Sequence, residues 1–176
     1  MEQDSPAQRP IIFDSPVGLL GVVASAEGLR RVLLPNEARR VSRMPQSHVI
    51  RAGGAATRAI EQIAQYARGE RKEFDLPLDL SGVGSEHRRV LEELRAAAPY
   101  GKVITYGELA RRSGCAGGAR AVGQMMAGNP LPLVIPCHRV VAAGDLGGYG
   151  GGLPLKRRLL RLEGALVEQL SLLGDS

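Results

Sequence analysis

The segment Leu133-Val134-Ile135-Pro136-Cys137-His138-Arg139-Val140-Val141 sets a thiol inside an apolar run, behind a proline and ahead of an imidazole and a guanidinium. A free thiol has a pKa near ~8.5, and adjacent cations or an imidazole lower it and raise the thiolate fraction. A thiolate is a soft, strong nucleophile suited to displacement at an alkyl carbon. A buried structural cysteine beside a surface histidine would leave the same local pattern. If the segment is a strand, Cys137 and His138 point to opposite faces, and a bridging water would carry the proton between them. An imidazole acting as a base is usually oriented by a third group. Glu163, in Leu160-Arg161-Leu162-Glu163-Gly164, is the candidate, and it also reads as an ordinary helix-end carboxylate.

A second unusual segment is Gly118-Ala119-Arg120-Ala121-Val122-Gly123-Gln124-Met125-Met126-Ala127-Gly128. Glycine inside a helix costs about 1 kcal/mol relative to alanine. Small side chains suit a helix pressed against the floor of a narrow groove, and equally one packed tightly against its neighbours. Arg120 is the only long charged side chain there and is the candidate to reach into DNA. The run Gly147-Gly148-Tyr149-Gly150-Gly151-Gly152 reads as a phosphate cradle, a lid or a plain loop, and it lacks the Lys-Ser/Thr ending of a nucleotide P-loop.

These residues need a frame. The chain has 176 residues, enough for one domain or two small lobes. Its Cys115 and Cys137 are too few for a disulfide scaffold, and with three histidines they make a structural zinc site unexpected. No apolar run approaches the roughly 20 residues of a membrane span, and the polar start lacks a secretory pattern, so a cytoplasmic protein is expected. Residues 1–80 carry 11 basic and 10 acidic side chains, whereas residues 81–176 carry 12 and 8. The basic second half suits a polyanionic partner.

Residues 1–9 read as a loosely held arm. Ile11–Phe13, Leu19–Ser25 and Leu29–Leu34 read as an antiparallel meander, 35–52 as a loop, and about 55–68 as a helix ended by Gly69. Phe74–Leu80 reads as a strand or extended segment. The Gly-rich stretch 81–85 marks a boundary between lobes at 1–81 and 82–176. Ser85 is expected to cap a helix at about 86–98. Tyr106–Arg112, a Gly-containing turn and Gly118–Ala127 outline a helix-turn-helix. A last helix at about 155–163 is expected to present Lys156, Arg157, Arg158 and Arg161 on one side and Leu159, Leu160 and Leu162 on the other. From Gly164 on, a short further helix or a frayed end is expected.

At Pro136-Cys137-His138-Arg139-Val140 the chain resembles the O6-alkylguanine–DNA alkyltransferases. "GKVITYGELA", "ARAVGQMMAGNPLPLVIPCHRVV", "GGYGGGLPLKRRLL" and "LEG" occur in the family's order, and "SPVGLLGVVASAEGLRRVLLP" and "RKEFDLPLDL" extend the match to the first lobe. The resemblance implies an α/β (α+β) fold: a small ribonuclease H-like N-terminal lobe and a mostly helical C-terminal lobe with a helix-turn-helix that enters the DNA minor groove. It implies that Cys137 is the alkyl acceptor, His138 its water-linked base, Glu163 the orienting carboxylate and Asn129 the hinge of the active-site turn. Tyr106 would meet the guanine and help rotate the phosphate. Arg120 would fill the gap left by the flipped base, and Ala119, Ala121, Gly123, Ala127 and Arg139 would line the DNA surface. Met126, Pro132, Val140, Tyr149 and Gly150 would form the substrate pocket, the backbones of Cys137, Val140 and Gly150 holding the guanine edge. Family members often have an aromatic where this chain has His87 and Leu91, and commonly a serine where it has Gly150.

The implied reaction is single-turnover transfer from O6-alkylguanine, with O4-alkylthymine as a second expected substrate. No cofactor is expected, the expected partner is double-stranded DNA, and a monomer is expected. Two other classes fit part of the pattern. An alkyltransferase-like lesion binder would lack the acceptor cysteine, which is present here. A helix-turn-helix regulator would give no reason for the Cys-His-Glu set.

Overall fold

Alternating apolar residues between turn-forming pairs fold the first part of the chain into a meander. The computed structural model describes residues 9–43 and 53–165. The expectations for residues 1–8, for 44–52 and for the tail beyond Ala165 lie outside the described residues. The chain divides into two compact units, Met1–Leu80 and Ser81–Ser176.

In the first unit, β1 (Ile11–Ser15), β2 (Gly18–Ala24) and β3 (Leu29–Leu33) form one antiparallel sheet in the order β1-β2-β3. Ile11 pairs with Val22, which pairs in turn with Val32. Leu20, Val22, Leu29 and Val32 are buried in this unit's core. Helix α2 (Gly54–Ala67) buries Ala56, Ala59, Ile63 and Tyr66, and the Tyr66 ring meets Phe74 at 5.4 Å. Gly69, with φ +77°, takes the left-handed conformation that ends such a helix.

The expected loop at 35–52 is corrected over its first part, because Pro35–Ser42 is a helix, α1. Pro35 presets the first turn, Glu37 and the late Arg39 and Arg40 suit the helix dipole, and only Ala38 is buried. One buried residue in eight leaves too faint a period to read. Phe74–Leu80 is extended and joins the sheet only through a parallel bridge between Leu29 and Leu78.

In the second unit, α3 (Ser85–Ala97) buries Val90, Leu91 and Leu94. Ser85 is its first helical residue, not its cap; Gly84 holds that position without a side-chain bond. Strand β4 (Ile104–Thr105) leads into α4 (Tyr106–Ser113), capped by Thr105, whose Oγ1 accepts from the Glu108 N–H at 3.1 Å. Gly114 (φ +64°) ends α4, and the Arg89 guanidinium of α3 donates to the Ser113 carbonyl at 2.8 Å. A short turn leads to α5 (Gly118–Ala127), completing the helix-turn-helix. Strand β5 (Val140–Val141) pairs in parallel with β4, and α6 (Leu153–Leu162) follows the glycine-rich loop. None of the described helices is long and apolar enough to cross a membrane.

Gly28 makes the attachment of the 77–79 segment possible. It sits at φ +146°, and a Cβ there would lie 2.3 Å from the Pro77 carbonyl oxygen, which accepts from the Leu29 N–H. Gly28→Ala should cost at least ~1–3 kcal/mol of stability from backbone strain alone, read as a lower denaturation midpoint at unchanged slope.

Candidate active site

Asn129, just beyond α5, shapes the turn that carries the sulfur. Its carboxamide donates to the Ile135 carbonyl at 2.9 Å and accepts from the Leu131 N–H at 3.0 Å. Between them Leu133, fully packed, adopts φ +74°. A left-handed Leu costs roughly 1–2 kcal/mol and persists only where its surroundings over-determine it. The chain then enters a 3-10 turn, Cys137–Arg139. This corrects the strand geometry assumed for Cys137 and His138: the side chains leave a tight turn, and only Val140 and Val141 are strand.

Every residue from Leu131 to Val140 is buried. Burial pushes the Cys137 thiol up from its ordinary pKa, and the Asn129 amide, the Lys156 ammonium and the backbone N–H groups of Cys137 and His138 oppose that rise without cancelling it. The resting sulfur is therefore a thiol, where its neighbours in the sequence suggested a thiolate.

His138 and Glu163 are wholly enclosed side chains, with Nε2 and Oε1 2.8 Å apart. Burial lowers the His138 pKa, outweighing the opposing pull of Glu163, so the ring is neutral at physiological pH. Glu163 is an acceptor only, so Nε2 carries the hydrogen and Nδ1 is the basic nitrogen. Burial alone would raise the Glu163 pKa, but bonds and charge from His138 and Arg139 bring it down to about 2.

Arg139 corrects one expectation. It is buried, with Nε on Glu163 Oε2 at 2.9 Å, Nη2 on Oε1 at 2.9 Å and Nη1 on the Ala98 carbonyl at 2.7 Å. Its guanidinium lies over the Tyr100 ring, 5.8 Å from its centroid, and Tyr100 donates to the Leu162 carbonyl. A guanidinium spent inside the unit does not line a DNA surface. It clamps the carboxylate that orients the imidazole.

Tyr106 opens α4, and its hydroxyl donates to the Gly148 carbonyl at 3.4 Å. Burial and the nearby Cys137 sulfur raise its pKa. Gly147 (φ +69°) lies against the ring; a Cβ there would sit 2.9 Å from Tyr106 Cε2. Tyr149 is half-buried, its ring edge-on to His138 at a centroid distance of 6.4 Å. Its hydroxyl is enclosed and has no hydrogen-bond partner among the described residues. Met126 and Pro132 are buried on either side of Asn129, Val140 is buried in β5, and Gly150 is exposed.

The sequence reading missed Lys156. Expected on a solvated face, it is completely buried, and its ammonium donates to the Val140, Leu146 and Gly148 carbonyls at 2.7, 2.5 and 2.9 Å. The signal was the spacing of Lys156, Leu159, Leu160 and Glu163, which is the i, i+3, i+4, i+7 stripe of a buried helix face. Arg157, Arg158 and Arg161 are exposed as expected.

On α5, Ala119, Arg120 and Ala127 are exposed and Ala121 and Gly123 partly so, while Val122 and Met126 face the core. A Cβ built on Gly123 meets nothing within 4 Å. At position 123, therefore, the absence of a side chain is not required by packing within the unit. Among the described residues no group of three His, Cys, Asp or Glu side chains is placed to hold a metal ion.

Glu163 has a depressed pKa, so the stability it contributes is full above the free value of 4.5 and is lost as pH falls toward 2. His138, held neutral, acts in the same direction below its free value of 6.5. Denaturant titrations should lose about 3 kcal/mol through this acid window, and Glu163→Gln should flatten the dependence.

Residues 85–165 match the family model described as 6-O-methylguanine DNA methyltransferase, DNA binding domain. The chain is 42% identical over 151 residues to a methylated-DNA–protein-cysteine methyltransferase of Mycolicibacterium paratuberculosis, covering 85% of this chain and 88% of that protein. It is 40% identical to a DNA base-flipping protein of Thermus thermophilus, covering 86% and 97%. Its structure resembles that of the Mycobacterium tuberculosis OGT solved in complex with DNA, with TM-score 0.72, 37% identity and coverage of 92% of this chain and 96% of the other. Likeness of this extent over both units establishes that the chain belongs to the methylated-DNA–protein-cysteine methyltransferase family.

Proposed function

We propose that this protein repairs DNA by moving the alkyl group of O6-alkylguanine, and of O4-alkylthymine, onto Cys137 in a single turnover. The observation that carries this reading is the buried Cys137 turn with its neighbouring His138–Glu163 pair, in the same unit as a helix-turn-helix with a small-residue outer face.

In the reaction, His138 Nδ1 takes the thiol proton through a water. Sγ attacks the alkyl carbon, the C–O6 bond breaks, and its electron pair passes to the guanine. Tyr106 donates a hydrogen bond or proton to the ring and makes it a better leaving group. Glu163 stabilises the imidazolium that forms, and Arg139 keeps Glu163 in place. The thioether has no hydrolytic route back, so each molecule acts once.

The lesion reaches the sulfur only by leaving the base stack, which costs a few kcal/mol and least for a damaged pair. Helix α5 enters the minor groove, where its small exposed residues allow close approach and Arg120 occupies the vacated position. Met126, Pro132, Val140, Tyr149 and Gly150 form the pocket. The protein acts as a monomer in the cytoplasm.

One relative is a DNA base-flipping protein, and flipping is common to transfer and to a second reading, lesion binding with an inert thiol. Intact-mass analysis after mixing with duplex DNA containing O6-methylguanine separates the two. Transfer replaces the thiol hydrogen with a methyl group, a net gain of one CH2 that peptide mapping places on Cys137, and binding without a mass change would support the other reading. Cys137→Ala should abolish the gain and leave DNA binding. Arg120→Ala should slow repair of the duplex by at least about tenfold while sparing reaction with the free alkylated base; equal loss in both assays would contradict a flipping role.

A further inference from the structure

A buried ammonium is costly unless its hydrogens are satisfied. Lys156 meets that demand with backbone carbonyls, not with a carboxylate. Its three N–H donors point to three acceptors drawn from two places. Val140 is in β5, directly after the Cys137 turn; Leu146 and Gly148 are in the glycine-rich loop. Gly148 also accepts from the Tyr106 hydroxyl, and Gly147 packs on the Tyr106 ring. Tyr149, next in the chain, sets its ring against His138. A loop containing Gly147, Gly148, Gly150, Gly151 and Gly152 has little intrinsic preference for one shape, so an external tie is needed to keep it in place.

We infer that Lys156 is a positioning residue of the transfer site: its ammonium ties the glycine-rich loop to β5 and so fixes Tyr106 and Tyr149 beside Cys137. This rests on the reading of Cys137 as alkyl acceptor. The tie needs the charged form, because a neutral amine has only two N–H donors for three carbonyls. Burial lowers the Lys156 pKa from 10.5 to about 8, with Cys137 and Asp145 opposing. The tie is therefore intact at neutral pH and lost as pH rises through that value. Cys137 and His138 on the turn, Asp145 and Tyr149 on the loop, and Tyr106 on α4 surround the same enclosure. The ammonium itself lowers the Cys137 and His138 pKa values, so Lys156→Met shifts both; Lys156→Arg, which keeps the charge, separates that effect from the tie.

The test is the single-turnover transfer rate on O6-methylguanine duplex, with DNA affinity measured in parallel, for wild type, Lys156→Met and Lys156→Arg. Wild type that fails to transfer sinks the functional reading itself, and loop exchange then tests the tie alone. Lys156→Met should bind DNA within about twofold of wild type and transfer at least about tenfold more slowly at neutral pH. The wild-type to Lys156→Met rate ratio should shrink as pH rises from about 7 to about 9.5. Amide exchange in residues 147–150 should accelerate in Lys156→Met while α3 is unchanged. Lys156→Arg keeps a charge near the sulfur but cannot reproduce the three-carbonyl geometry, so it should remain slow. Full activity in Lys156→Met, a pH-independent ratio, or full rescue by Lys156→Arg with a loosened loop would overturn the proposal. If Lys156→Met does not fold, exchange in wild type decides, each amide corrected for its intrinsic rate. Loop protection should fall relative to α3 across the same pH window, and unchanged protection would overturn it.

Discussion

One buried carboxylate organises the catalytic unit. Glu163 takes a hydrogen bond from His138 and two from Arg139, and Arg139 in turn reaches the Ala98 carbonyl at the end of α3 and the Tyr100 ring. Removing Arg139 or Glu163 alone would leave the other's charge without an opposite charge in a low-dielectric interior, the situation most costly to a fold. The same bonds that hold α6 against the end of α3 also select the tautomer of His138. Structure and chemistry here cannot be varied independently.

Helix α5 illustrates a different balance. Its inner face, Val122 and Met126, is packed, while its outer face carries Ala119, Ala121, Gly123 and Ala127 beside two long residues, Arg120 and Gln124. Glycine and open space at 123 give up intrinsic helix stability without gaining internal contacts. Tertiary packing of the inner face supplies what propensity does not.

Much of this was legible in the sequence, and the failures have definite causes. The meander, α2 and both helices of the helix-turn-helix follow from turn residues and apolar period. Helix α1 escaped because only Ala38 is buried. The Cys137–Arg139 turn read as a strand because it lies in an apolar run, and apolar runs do not distinguish a strand from a buried turn. Arg139 and Lys156 were assigned to the surface because long cations usually lie there. Their burial depends on acceptors remote in sequence: Glu163 and Ala98 for the first, Val140, Leu146 and Gly148 for the second. No local pattern announces a carbonyl that will be brought near by folding, although the stripe spacing of Lys156 was readable.

The enclosed, protonated state of Cys137 bears on how long the protein stays usable. Oxidation to sulfenic acid tracks thiolate character and solvent access, and this sulfur has little of either while no DNA is bound. A molecule with one irreversible reaction to spend gains shelf life from a warhead that stays chemically quiet. Peroxide in solution meets a sulfur that is protonated and nearly closed off from water.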